Sequence, residues 1–236
     1  MPSPMPSRLV LFDCDGTLIE SHGAVATAMR LAFVQHRCVP PPPGAIRSLV
    51  GLSADAMVHV LCQDLVDPPE AAILDSYLKL FRREALLSAG MECIVPGMRC
   101  VVESLSDTET MVGLVASECD EHLERALSTV GLGDAFTVRA TCDDAPSKPA
   151  PDLVHVAVLR AQIPISQTVV VGDTVFDVLM ARAAGARVVG VTWGAHSANS
   201  LRLCGADIVV DRPDRIPEAV DRLVPSTVRA RAAKVH

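Results

Sequence analysis

The sequence predicts a doubly wound α/β fold, in which helices cover both faces of a parallel sheet, with an all-helical insertion after the first strand. Several short apolar runs are nearly continuous rather than alternating, which is typical of strands buried on both faces. Helical patterns separate the later runs, whereas a long interval near the N-terminus has helical patterns alone. Half of the 236 residues are hydrophobic, so the chain can bury a sizeable core.

Five runs rich in Val, Ile and Leu are predicted to be strands. They are LVLF before Asp13, MVGLVAS at 111–117, FTVRAT at 136–141, TVVVGD at 168–173 and RVVGVTW at 187–193. A sixth run, ADIVVD at 206–211, is predicted to add an edge strand. Because helical patterns lie between the later runs, parallel pairing is favoured over hairpins.

The segments between the later strands carry apolar residues at helical spacing. One stripe ends at Gly131 and consists of Leu123, Ala126, Leu127 and Val130. A second stripe begins after Pro151, a residue type that suits the start of a helix. A third helix is predicted over 177–185, where Gly185 is expected to end it.

The interval from Ser21 to about Cys93 is predicted to be entirely helical. Two apolar stripes support this, Val25, Met29, Ala32 and Phe33 in the first and Ile73, Tyr77, Leu80 and Phe81 in the second. Ser53 is expected to cap a third helix that carries Met57, Val60 and Leu61. The four prolines at 40–43 are expected to form a loop, since proline lacks an N–H donor and fixes φ. The predicted division is a discontinuous core, residues 1–20 and 94–236, and an inserted domain, residues 21–93.

Composition and charge narrow the range of partners. A net charge of −7 and a pI near 5.4 argue against nucleic acid or an anionic membrane as the main partner, which leaves small molecules. No apolar run reaches the roughly 18–20 residues of a membrane span, and the N-terminus lacks the features of a secretion signal, so a cytoplasmic location is expected. The eight cysteines form no CxxC pair and are expected to be reduced core residues, and the seven histidines show no metal-ligand spacing. The sequence carries no signal of oligomeric state.

Six polar residues are predicted to gather at the carboxyl edge of the sheet, where open parallel sheets bind ligands. They are Asp13 and Asp15 after the first strand, Ser117 after the second, Lys148 before the helix that leads to the fourth, Asp173 after the fourth, and Asp177 one helical turn later. Singly, each has a structural explanation, since Asp and Ser often cap turns and lysine is usually solvated. Together they predict a site, because several carboxylates at one place need a cation.

The residue types at this edge favour Mg²⁺ and a phosphate. Oxygen ligands suit Mg²⁺ better than zinc, and Lys148 and Ser117 would supply a positive charge and a donor for phosphoryl oxygens. A calcium loop starting at Asp13 is excluded, because Leu18 and Ala24 stand where such a loop needs Gly and Glu. The glycine-rich loops that bind nucleotide phosphates are also missing from the sequence.

These motifs resemble the haloacid dehalogenase-like hydrolases, and the resemblance covers essentially the whole chain. DCDGT at 13–17 is similar to the DxDGT signature, Ser117 to the Ser/Thr of the second strand, Lys148 in SKPAPD to the family lysine, and GDTVFD at 172–177 to the GDxxxD motif. Within the family the chain resembles the phosphoglycolate phosphatase-like subgroup. The resemblance implies a Rossmann-like core with a helical cap domain inserted after the first strand.

The resemblance also implies a role for each matching residue. Asp13 would attack phosphorus and form an aspartyl-phosphate, and Asp15 would act as general acid and then as general base. Mg²⁺ would bind the Asp13 carboxylate, the Asp15 backbone carbonyl and Asp173, with Asp177 as a supporting ligand. Ser117 and Lys148 would hold the transferring group of a small phosphate ester.

The cap is expected to close over the site and select the leaving group. His22, Arg47 and Ser53 are its candidate substrate contacts. The segment ECDEHL after Ser117 departs from relatives that carry a Lys or Arg there, which argues against a small dianionic substrate such as phosphoglycolate.

Two alternatives to the phosphatase stay open. One is a sugar phosphomutase, although Thr17 is typical of phosphatases where mutases often carry valine. The other is a binding module without turnover, which the complete set of motif residues disfavours. An acid at Asp15 disfavours a dehalogenase, since dehalogenating relatives lack it.

Overall fold

The computed structural model describes residues 6–87, 94–106 and 109–225 of the chain, without the side chains of His22 and residues 84–87. The predicted cap contact from His22 and the predicted boundary near Cys93 therefore lie outside what the structure describes. None of the described helices is long and apolar enough to cross a membrane.

The sheet contains six parallel strands in the order β3-β2-β1-β4-β5-β6. The strands are β1 Arg8–Phe12, β2 Thr110–Val115, β3 Val138–Ala140, β4 Thr168–Gly172, β5 Arg187–Val191 and β6 Ile208–Val210. All six lie within the predicted runs or next to them, and the sixth run is an edge strand as predicted. The first strand pairs with both β2 and β4, so that Phe12 is in register with Leu114 and Val171. The residues that follow these three strands consequently meet at one edge.

Ten helices complete the described part of the chain. They are α1 His22–Gln35, α2 Pro43–Arg47, α3 Ala54–Cys62, α4 Glu70–Leu87, α5 Met98–Ser106, α6 Asp120–Thr129, α7 Asp152–Ala161, α8 Val175–Ala184, α9 Ala198–Leu203 and α10 Ile216–Leu223. Gly185 ends α8 with a φ of 84°, a left-handed conformation that glycine adopts without strain, as predicted.

Alternate residues of each strand pack on opposite faces of the sheet. Val10 and Phe12 lie in one core with helices α5, α6 and α10, whereas Leu9 and Leu11 lie in another core with α7, α8 and α9. Two covered faces explain why the strands are apolar throughout. The predicted doubly wound α/β class is confirmed.

A third core is formed by the helices α1–α4, which lie between β1 and β2 in the sequence. We call these four helices and their connections the helical segment. Both predicted stripes contribute to it, with Met29, Phe33 and Ile73 almost fully buried. The segment leaves and rejoins the rest of the chain at one place, because Ile19 and Ile94 form an antiparallel bridge and Val95 N donates to Leu18 O at 2.8 Å.

Two local predictions in the helical segment were wrong. The proline run was expected to be a loop, but Pro43 begins α2, since the first turn of a helix does not use the missing N–H. In α3 the buried residues beside Met57 are Val58 and Cys62, whereas Val60 is 39% exposed. The helix is thus rotated from the predicted face.

The cysteines also differ in part from the prediction of core positions. Cys14 and Cys62 are buried, but Cys100 and Cys142 are exposed. Cys100 lies on the outer side of α5, a helix that the sequence patterns did not predict.

Candidate active site

The turn after β1 places Asp13 and Asp15 at the carboxyl edge of the sheet. Asp13 N donates to Val171 O at 2.9 Å, which continues the pairing of β1 with β4 by one residue. Gly16 then reverses the chain with a φ of 85°, and its N–H donates to Ile19 O at 2.7 Å. Both aspartates are buried, so their carboxyl groups depend on protein partners for stabilisation.

Asp173 follows β4 and has a defined partner on each carboxylate oxygen. Thr17 Oγ1 donates to Oδ1 at 2.8 Å, and Ala195 N donates to Oδ2 at 2.7 Å. Burial, together with the charge of Asp177, raises the pKa of Asp173 to about 6, although these two hydrogen bonds act against the rise. The side chain is therefore fixed in place but costly to ionise without a cation.

Asp177 is held by the first turn of α8. Thr174 and Asp177 form a capping box, in which Thr174 N and Thr174 Oγ1 donate to Asp177 Oδ2 at 3.0 and 2.6 Å. The other oxygen, Oδ1, lies 2.7 Å from Lys148 Nζ but accepts no hydrogen bond within the described part of the chain. A buried carboxylate oxygen without a hydrogen bond is suited to a metal ion.

Lys148 forms buried ion pairs with Asp13 and Asp177. Burial tends to lower the pKa of this lysine, but the carboxylates of Asp13, Asp177 and Glu118 outweigh burial and raise it. For Asp13 the balance is different. Burial raises the pKa of its carboxyl well above the ordinary value, and the charge of Lys148 only partly offsets the rise.

The carboxylates of Asp13, Asp173 and Asp177 could hold a divalent cation. One oxygen of each lies within 4.8 Å of the others, and all three residues are buried. Three carboxylates face one ammonium, so the cluster is short of positive charge. A donor set made only of oxygens, in which Asp177 Oδ1 is held by the charge of Lys148 without a hydrogen bond, fits Mg²⁺.

Ser117 lies beyond β2 and contacts the helical segment. Its Oγ donates to Gly51 O at 2.7 Å and accepts from Ser147 Oγ at 2.7 Å. Sequence reasoning missed Ser147, although its position directly before Lys148 was a usable signal.

Glu118 is a second residue that sequence reasoning did not include in the site. Its carboxyl group is hydrogen-bonded to that of Asp15, and burial and the charge of Asp15 raise the pKa of Glu118 to about 8. Two carboxyl groups can form such a hydrogen bond only if one carries the proton. The acidic segment ECDEHL was the available signal.

The three candidate contacts from the inserted domain have different outcomes. Ser53 lines a cavity of about 410 Å³ that extends from Asp13 and Lys148 into the helical segment. Arg47 lies outside that lining and donates to Gly194 O at 2.8 Å and Ala195 O at 3.1 Å. Arg47 therefore ties the helical segment to the loop that holds Asp173. The side chain of His22 is outside the described residues.

Comparisons with known proteins identify the family of this chain. The family described as haloacid dehalogenase-like hydrolase matches residues 10–191. A probable phosphatase, IndB of Dickeya dadantii, is 28% identical over 92% of this chain and 94% of its own length. A phosphoglycolate phosphatase of Xanthomonas campestris is 30% identical over 89% of this chain and 95% of its own length.

Solved structures share the fold. A hydrolase from Pseudomonas syringae superimposes with a TM-score of 0.81 at 24% identity, covering 92% of this chain and 99% of that one. A Thermotoga maritima structure whose name refers to β-phosphoglucomutase superimposes with a TM-score of 0.68 at 20% identity, covering 92% of this chain and 100% of that one. At these identities the likeness concerns the fold alone.

Proposed function

This chain belongs to the haloacid dehalogenase-like hydrolases and is a phosphatase of that family, and we propose that it hydrolyses a small phosphate monoester through an aspartyl-phosphate in a Mg²⁺-dependent reaction. The observation that carries the proposal is the position of Asp13. Its carboxylate is paired with the ammonium of Lys148, and one of its oxygens lies within 4.8 Å of an oxygen of Asp173 and of Asp177. A nucleophile in this place can approach a phosphoryl group whose charge the neighbouring cations offset.

In the first step an Asp13 oxygen attacks phosphorus, and the bond between phosphorus and the ester oxygen breaks. Asp15 gives a proton to the departing alkoxide, so that the leaving group departs as an alcohol. In the second step Asp15 takes a proton from water, which attacks the phosphorus of the aspartyl-phosphate. Inorganic phosphate leaves, and Asp13 returns to its carboxylate form.

Mg²⁺ would be held by Asp13, Asp173 and Asp177, with the Asp15 carbonyl as a further ligand, and it would supply positive charge that offsets the carboxylates and the phosphoryl group. Lys148 supplies a second positive charge within reach of Asp13. Ser117 would donate its hydroxyl proton to a phosphoryl oxygen, and to do so it must release Gly51 O. Residues 21–93 would act as a cap that excludes water during the first step.

The test is release of inorganic phosphate from a panel of esters with Mg²⁺ and with a chelator. The panel contains phosphoglycolate, sugar phosphates, nucleotides, pyrophosphate and 4-nitrophenyl phosphate. We expect release only with Mg²⁺ and none from Asp13→Asn, whose fold is checked by circular dichroism. If folded protein that binds Mg²⁺ releases no phosphate from any member, the proposal is wrong.

A phosphomutase would give a different product. Incubation with a sugar phosphate and product analysis by phosphorus NMR separates the two, because a mutase returns the phosphoryl group to the sugar. We expect inorganic phosphate as the product.

A further inference from the structure

We propose that the natural substrate carries an uncharged, largely apolar leaving group, such as a hydrocarbon chain or ring, rather than a leaving group that bears a carboxylate. This inference rests on the proposed function and concerns the part of the cavity beyond the reacting phosphate.

The cavity is large relative to a two-carbon leaving group. Its volume is about 410 Å³, within the roughly 300–1,000 Å³ of small-molecule sites in proteins. It starts at Asp13, Asp15 and Lys148 and extends between the helices α3 and α4. A phosphoglycolate molecule bound at Asp13 would leave most of this space filled only with water.

Most of the side chains that the helical segment contributes to the cavity are apolar. They include Val50, Leu52, Met57, Leu74, Tyr77 and Phe81. The Tyr77 and Phe81 rings are stacked with centroids 5.7 Å apart, and the His122 ring contacts Phe81 at 4.8 Å. Apolar and ring surfaces of this kind stabilise a leaving group that loses hydration at little cost.

The described side chains of the cavity offer little to a substrate carboxylate. Lys148 is already paired with Asp13 and Asp177. Arg82 is 55% exposed at the mouth, where it lies 3.8 Å from Glu121, so solvent screens its charge. His122 Nδ1 accepts a hydrogen bond from Arg125, so this nitrogen does not donate to a substrate carboxylate.

Acidic groups lie at the same cavity. Asp55 and Glu118 both line it. A carboxylate on the leaving group would approach the Asp55 carboxylate and the negative charge that the hydrogen-bonded Asp15 and Glu118 share. It would also lose water without gaining a buried cation other than the already paired Lys148, which is unfavourable. An uncharged leaving group avoids both costs.

The experiment compares kcat/KM across monophosphates of primary alcohols, namely ethyl, butyl, hexyl and 2-phenylethyl phosphate and phosphoglycolate. Because the leaving groups are all alkoxides, differences report the cavity more than the intrinsic reactivity. We expect kcat/KM to rise by about fourfold per added methylene, the ratio given by about 0.8 kcal/mol of burial. We also expect kcat/KM for 2-phenylethyl phosphate to exceed kcat/KM for phosphoglycolate by at least about 100-fold, because the carboxylate of phosphoglycolate would be buried without a partner of opposite charge.

Two outcomes would overturn the inference. If ethyl and 4-nitrophenyl phosphate are hydrolysed with Mg²⁺ but kcat/KM does not increase with chain length, or if phosphoglycolate is the better substrate, the inference fails while the phosphatase mechanism stands. If no ester is hydrolysed, the proposed function fails and the inference fails with it.

A charge introduced into the cavity provides a second test. Leu78 lines the cavity on α4 and is 40% exposed, so an arginine can be accommodated there. We expect Leu78→Arg to shift the ratio of kcat/KM for 2-phenylethyl phosphate over phosphoglycolate by at least about tenfold toward phosphoglycolate. Leu31→Arg is the matched control, because Leu31 is 41% exposed on α1 and does not line the cavity. An unchanged ratio in folded Leu78→Arg would contradict the inference, and the ester series on the native protein decides it if this variant does not fold.

Discussion

Ser117 Oγ donates a 2.7 Å hydrogen bond to Gly51 O, so the hydroxyl at the end of β2 holds the backbone of the helical segment. A hydroxyl has one proton to donate. A phosphoryl oxygen that takes this proton must replace Gly51 O. Under the proposed function, phosphate binding and the attachment of the helical segment would therefore be coupled at one atom.

Replacing Ser117 with alanine should lower kcat/KM by about 10–100-fold, the range expected for a hydrogen bond to a charged group. Ser147→Ala is the control, because Ser147 Oγ donates to Ser117 rather than to the substrate. We expect kcat/KM of Ser147→Ala to fall by less than about tenfold. Steady-state kinetics with 4-nitrophenyl phosphate measures both, and equal losses in the two variants would argue against a direct contact of Ser117 with phosphate.

Gly51 should not tolerate a side chain. Its φ is +101°, and a Cβ would lie 2.7 Å from Thr174 Oγ1, the hydroxyl that caps α8. We expect Gly51→Ala to lower the melting temperature and kcat/KM together, because the clash displaces Thr174 and with it Asp177. Gly44→Ala is the control in the same segment, since nothing lies within 4 Å of its added Cβ. A Gly51→Ala protein as active and stable as Gly44→Ala would refute this close approach.

Lys148→Met should destabilise the metal-free protein by about 3–5 kcal/mol, the cost of removing one partner of a buried ion pair. Because Mg²⁺ at the proposed site would supply the missing positive charge, it should raise the melting temperature of this variant more than that of the native protein. Thermal unfolding in chelator and in MgCl₂ provides the comparison. The exposed Lys79, which pairs with Asp75 at 2.6 Å, serves as the control, and Lys79→Met should change stability by less than about 1 kcal/mol. Equal stability of Lys148→Met and native protein in chelator would contradict the prediction.

Thr17→Val should weaken metal binding without altering a ligand. The Thr17 hydroxyl orients Asp173 Oδ1, and loss of such a support typically costs about 10–100-fold in metal affinity. The measurement is the Mg²⁺ concentration at half-maximal activity. Asp55→Asn, which removes an exposed acid of the cavity outside the carboxylate cluster, should leave that concentration nearly unchanged. If both variants need the same Mg²⁺ concentration, Thr17 does not support the site.

Glu118→Gln should change the pH dependence of stability in chelator. At pH values below about 4.5 the carboxyl group is protonated in folded and unfolded chains alike, so native and variant differ little in their pH dependence there. Above that value the unfolded chain releases the proton while the folded chain keeps it up to about pH 8. The native protein should therefore lose stability relative to Glu118→Gln as the pH rises from 4.5 to 8, with no further relative loss above 8. If the melting temperatures of the native protein and Glu118→Gln change with pH in the same way between pH 4.5 and 8, the pKa of Glu118 is not raised.

The sequence was sufficient for the strands and for the carboxylate cluster, for a physical reason. Runs such as TVVVGD combine apolar residues that need two covered faces with an acid at the strand end, and parallel pairing then brings the ends together. The contacts that hold the carboxylate cluster in place could not be predicted from the pattern of residue types. Ala195 N and Gly51 O are backbone atoms, so residue identity does not indicate them, and their positions depend on long-range packing.

The short helices show the same limit. The five residues of α2 complete too few turns to produce a recognisable stripe, and the proline run concealed the helix start at Pro43. Which face of α3 is buried depends on where α4 packs against it, and the spacing of apolar residues within α3 does not indicate this.

The bridge between Ile19 and Ile94 has a consequence for the architecture of the chain. The entry and exit of the helical segment lie side by side, so a short turn in place of the segment would have a small loop-closure entropy. The helical segment is therefore joined to the sheet domain through two adjacent backbone connections, one near Ile19 and one near Ile94. Segments of different length and shape could be exchanged at this position without changing the paths of β1 and β2. Under the proposed function, leaving-group selection could then change while the reaction at Asp13 is retained.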